Sequence, residues 1–82
     1  MTKEQVMQEL TAIFRDVFDD DEIILTDATT AEDIEDWDSL EHINIVLQVE
    51  KHFKVKFVMS DIKALANVGE MAELVERKVN EQ

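Results

Sequence analysis

Asp38-Ser39-Leu40-Glu41-His42-Ile43-Asn44-Ile45-Val46-Leu47-Gln48-Val49-Glu50-Lys51-His52-Phe53 is the stretch on which the reading of the fold turns. Leu40, Ile43, Val46, Leu47 and Phe53 recur three and four apart, the period that gives an amphipathic helix one buried stripe. Asp38 precedes the periodic run and Glu41 follows three residues later, the spacing of a capping box. The spacing therefore predicts a helix from Ser39 to about Lys51, with Asp38 as N-cap and Ser39 in the first helical position. A hydroxyl there lies beside unpaired backbone N–H groups and the positive end of the helix dipole, where a phosphate ester is favoured.

Working outward, Thr2 and Gln5 repeat the capping-box spacing, with Met1 and Val6 placed for a hydrophobic staple. Val6, Leu10, Ile13, Phe14, Val17 and Phe18 then hold a helical stripe, so a first helix is expected from about Lys3 to Phe18. Residues 19–38 hold ten acidic residues and no basic one. They read as a long packed loop, pinned by Ile23, Ile24, Leu25, Ile34 and Trp37, in which Thr29 or Thr30 caps one short turn. Phe53 to Phe57 alternates apolar and basic residues, but a single five-residue strand has nothing to pair with, and an extended connector is expected. Ser60 caps a short third helix from Asp61 to about Leu65, with Ile62 and Leu65 inward. Asn67 and Glu70 open a last helix whose inward residues are Met71, Leu74, Val75 and Val79. The expected fold is all-α: an antiparallel four-helix bundle of three longer helices and one short third helix, with a long first loop.

Composition bounds the function. The 82 residues make one domain, 1–82, with short tails that suit a discrete protein. No proline and a single glycine argue against a turn-rich β fold. With no cysteine there is neither a disulfide framework nor a thiolate metal site. Charged residues interrupt the first 18 positions, so these are not a signal peptide, and no apolar run reaches membrane-spanning length. A cytoplasmic protein is expected. A net charge of −12 disfavours nucleic acid and anionic membranes, favours basic partner surfaces, and through self-repulsion favours a monomer.

Asp38-Ser39-Leu40 at a helix start, followed by an apolar-periodic helix ending Glu50-Lys51-His52-Phe53, resembles the acyl carrier protein family. Length, acidity and helix order match over nearly the whole chain. The resemblance implies a non-catalytic carrier: a separate transferase, using magnesium and coenzyme A, joins 4'-phosphopantetheine to the Ser39 hydroxyl. The terminal thiol of that arm then carries acyl groups as thioesters in fatty-acid, polyketide or another specialised biosynthesis. It also implies that Asp38, Leu40, Glu41 and Glu50 meet the transferase and acyl-processing enzymes with basic patches. Ile43, Val46, Leu47, Phe57, Ile62 and Leu65 are the candidates for sheltering an acyl chain, or are simply core, and bulky Phe57 narrows any such pocket. Asn44, Lys51 and His52 depart from the pattern, standing where fatty-acid members commonly have an acid. Residues 51–63 carry Lys51, Lys54, Lys56 and Lys63 against Asp61 alone, which either balances charge within the chain or meets an acidic spot on a dedicated partner.

Other readings of the same residues compete. A serine at a helix start is common as a plain solvated residue. A peptidyl or aminoacyl carrier shares the attachment serine, and a small acidic helical adaptor needs no prosthetic group. His42 follows Ser39 by three residues, but no Gly-x-Ser-x-Gly elbow or sheltered pocket supports a hydrolase. An EF-hand loop starting at Asp19 fails, because Ile23 and Ile24 stand where a ligand and the glycine belong. His42 and His52 are read as plain surface residues.

Overall fold

The computed structural model describes residues 1–63 and 65–81, and of Lys63 the backbone only. Its elements are α1 (Lys3–Phe18), α2 (Ser39–Phe53), α3 (Met59–Lys63) and α4 (Val68–Asn80), with no strand among the described residues. Each long helix starts where a side chain can satisfy backbone donors that the helix leaves unpaired. At α1 the Thr2 hydroxyl accepts from Gln5 N–H and the Gln5 side chain accepts from Thr2 N–H, a complete capping box. At α4 Asn67 accepts from Glu70 N–H, while the Glu70 carboxylate reaches one residue further back to Ala66 N–H.

α1 packs against both α2 and α4. The Met1 ammonium donates to Asn80 Oδ1, so α1 begins beside the end of α4, as antiparallel neighbours do. The core is built from Val6, Leu10, Ile13 and Phe14 of α1, Ile45, Val49 and Phe53 of α2, and Val68, Met71 and Val75 of α4. Full burial of such side chains is worth about 1.5–3 kcal/mol each before ordering costs.

The stripe expected on α2 needs correcting. Ile45, Val46, Val49 and Phe53 face inward, whereas Leu40, Ile43 and Leu47 are 74%, 55% and 57% exposed. Both sets satisfy helical spacing, so α2 carries two apolar faces and only the tertiary fold decides which one is covered. The short third helix also shifts. It begins at Met59 rather than Asp61, because Asp61, not Ser60, supplies the cap: its carboxylate accepts from Val58 N–H at 3.2 Å. Its expected end near Leu65 runs through Ala64, which lies outside the described residues.

The acidic loop is held at several points. Arg15 Nε donates to Ile23 O, Leu25 and Trp37 are buried, and Thr30 opens a turn closed by Asp33. Thr29 O and Asp27 O accept from Val68 N–H and Gly69 N–H, which pairs two orphan donors of α4 with the loop backbone. Ile24, expected to pin the loop, is instead 78% exposed. Where the chain leaves α1 and α2, Asp19 and Lys54 take left-handed conformations with φ of 51° and 59° in place of the usual glycine.

Candidate functional site

Ser39 is exposed and occupies the first position of α2. Asp38 caps the helix, its Oδ1 accepting from Glu41 N–H at 2.9 Å and its carbonyl from His42 N–H at 2.8 Å. The return bond of a capping box, from Asp38 N–H to the Glu41 side chain, is not formed. The Ser39 hydroxyl and the N–H groups of Ser39 and Leu40 have no partner among the described residues. A nucleophilic oxygen therefore projects to solvent beside two unpaired donors at the positive end of a 15-residue helix. These groups fit a phosphodiester: the donors and the dipole favour its charge, and Ser39 is exposed.

What holds this helix start in place is the residue before it. Trp37 is 7% exposed and meets the Phe14 ring edge-on, with centroids 5.0 Å apart at 84°. Its Nε1–H donates to His42 Nδ1 at 3.3 Å, and the two rings stack with centroids 5.8 Å apart. His42 is thus half-buried against Trp37 and is not the plain surface residue its sequence context suggested. His52 is exposed and pairs with Glu9 of α1 at 3.2 Å.

An open groove of about 720 Å³ runs beside Ser39. Of the six acyl-shelter candidates, Ile43, Ile62 and Leu65 line it together with Trp37 and His42. Val46 is buried in the core, and Leu47 borders a different depression with Glu50, Lys51, Lys54, Val55 and Lys56. Phe57 is half-buried against the core, 5.8 Å beneath the Lys78 ammonium. Trp37 and His42 were not among the expected lining residues, since one reads as loop anchor and the other as surface.

The surface candidates divide as well. Leu40 lies exposed next to Ser39, with Asp38 and Glu41 beside it. Leu40, Ile43 and Leu47 form a continuous exposed apolar line along α2, a feature far more telling than single exposed residues. Glu50 is half-buried and its carboxylate accepts from Phe57 N–H at 2.7 Å, so it holds the connector against α2. Lys51, Lys54 and Lys56 are exposed, while the side chain of Lys63 lies outside the described residues.

Comparison with known proteins agrees with this geometry. Residues 8–75 match the family described as phosphopantetheine attachment site. Among solved structures, the chain is similar to the holo acyl carrier protein from Geobacter metallireducens. The two are 47% identical with a TM-score of 0.88, over 93% of this chain and 87% of that one. No curated protein matches. With its family match spanning most of its length and a helical order shared with that structure, the chain belongs to the acyl carrier protein family, whose members are carriers of phosphopantetheine-bound groups rather than catalysts.

Proposed function

We propose that Ser39 is the attachment point, and that a phosphopantetheinyl transferase forms a phosphodiester between its hydroxyl and the arm of coenzyme A. The observation that carries this reading is the exposed Ser39 hydroxyl at the capped start of α2, without a partner among the described residues and opening onto an apolar groove. The arm supplies the thiol on which an acyl group rides as a thioester, a group the chain itself lacks because it has no cysteine. The chain's own residues do the rest. Asp38 holds the first turn, the unpaired N–H groups face the new negative charge, and Ile43, Ile62 and Leu65 offer apolar surface to the root of the cargo. Leu40, Ile43 and Leu47 form the face that partners cover, with Asp38 and Glu41 meeting basic groups at one end. At the other end Lys51 and Lys56 flank Leu47, which supports partners of divided charge and a specialised pathway over general fatty-acid synthesis.

Intact-protein mass before and after incubation with coenzyme A, magnesium and a broad-specificity transferase tests the assignment. The wild type is expected to gain one arm, and Ser39→Ala to gain none while keeping its thermal midpoint. A folded wild type that gains no mass leaves the acidic adaptor as the better reading.

A further inference from the structure

Trp37 and His42 make a bond that requires one particular protonation state. An indole N–H can only donate, so the imidazole nitrogen facing it must be an unprotonated acceptor. The 3.3 Å bond from Trp37 Nε1 to His42 Nδ1 is therefore one that only the neutral imidazole, with its proton on Nε2, can make. Trp37 immediately precedes the N-cap, and His42 sits in the second turn of the helix which that cap opens. The bond thus ties the end of the acidic loop across the start of α2. Ser39 and His42 both line the groove, and side chains three apart on a helix have Cβ atoms about 5–6 Å from each other. Among the described residues around the cavities that His42 borders, Asp38 is the one titratable group; the lining residues from α3 and α4 are neutral. Glu41 flanks His42 in sequence, and Glu35 and Asp36 precede Trp37 in the loop.

We propose that His42 is a positioning residue for Ser39 and a sensor of its modification. Neutral His42 latches Trp37, and with it the N-cap, to α2. A proton added at Nδ1 sets two donors face to face, and the latch opens. A phosphodiester on Ser39 places a permanent negative charge one helical turn away, which favours the imidazolium. His42 then takes its proton from solvent at a higher pH than in the unmodified chain. Loading consequently shifts the balance toward the open latch beside the attachment point. The sensing step rests on Ser39 being the attachment site; the latch itself does not.

Trp37 is the only tryptophan, so the indole fluorescence of the protein comes from this one residue. The test follows Trp37 emission and the His42 ring-proton NMR shifts from about pH 5 to 8, where a histidine titrates, in unmodified and mass-verified modified protein. In the unmodified chain both probes should step at one midpoint. His42→Gln, whose amide oxygen accepts from the indole without titrating, should give a flat profile resembling the wild type at high pH. His52→Gln should leave the step in place. In the modified chain the midpoint should rise, because the added negative charge favours the imidazolium. A wild-type emission that ignores the His42 titration, or a step that survives His42→Gln, overturns the latch. Equal midpoints in the two forms overturn the sensor. A chain that accepts no arm defeats the attachment reading and the sensor with it, while the unmodified titration still decides the latch.

Discussion

At the scale of single residues, the start of α2 depends for its stability on one carboxylate more than on the serine it presents. The Asp38 side chain caps the start of α2, and replacing such a cap by alanine typically costs about 1 kcal/mol. Asp38→Ala is therefore expected to lower the midpoint of urea unfolding and to slow arm attachment, whereas Asp38→Asn, which still caps, should restore stability. Asp61 is a second residue with a double task. The Val58 N–H bond is the main cause holding its pKa below the ordinary carboxylate value; desolvation opposes this, and the Lys78 ammonium at 3.2 Å adds to the lowering. A carboxylate lowered in the folded state stabilises fully above its ordinary pKa and loses that contribution as pH falls through the lowered value. Asp61→Asn should accordingly lose less stability than the wild type on acidification from neutral pH to about pH 3. Urea titrations at both pH values measure this, and equal losses would show that the Asp61 contacts contribute nothing.

At the scale of elements, α1 and the start of α2 were legible because their signals are local: a cap residue, its partner three positions on, and an apolar period that follows. The inward face of α2 was not legible, since Leu40-Ile43-Leu47 and Ile45-Val49-Phe53 obey the same period and nothing local separates a core stripe from a partner stripe. The sequence places the start of α3 two residues late, because Asp61, the third residue of the helix, reaches back to cap it, a geometry that Ser60 masks. The Trp37–His42 pair is not legible for a similar reason, as its partners lie on a loop and a helix, and Trp37 reaches its place by packing on Phe14 of α1. The single glycine offers a test of loop docking. A Cβ on Gly69 would stand 2.8 Å from Asp27 O, which accepts from Gly69 N–H at the α4 start, and 3.0 Å from Asp27 Cα. Alanine gains about 1 kcal/mol of helix propensity, but overpacking against backbone costs about 1–3 kcal/mol. Gly69→Ala should thus destabilise on balance and loosen residues 26–30, seen as faster amide exchange there. Asp19 predicts the opposite sign: it combines a left-handed backbone with a negative charge at a helix C-terminus, and Asp19→Gly should stabilise by about 1 kcal/mol.

At the scale of the whole molecule, a net charge of −12 is confined within 33 × 24 × 21 Å. The ions that screen it act over about 30 Å at 0.01 M salt and about 8 Å at 0.15 M. In dilute buffer every acid in the chain therefore feels the others, while at physiological salt only near neighbours interact. The few cations offset this repulsion at specific places: Lys3 bridges Asp27 of the loop and Glu73 of α4, and Lys78 holds Asp61. Lys51, near the end of α2, and Lys56, just beyond it, are exposed and border one depression with Glu50, so their charge acts mainly through the overall field. Raising salt from 0.01 to 0.15 M should consequently raise the thermal midpoint by several degrees, given that 1 kcal/mol moves a domain of this size by about 4–8 °C. The double change Lys51→Glu with Lys56→Glu deepens the negative field without touching the core. It should lower the midpoint in dilute buffer and bring it back to the wild-type value as salt is added. A difference between the two proteins that persisted at high salt would place these lysines in short-range contacts instead, and the divided charge of α2 would then belong to folding as much as to partner choice.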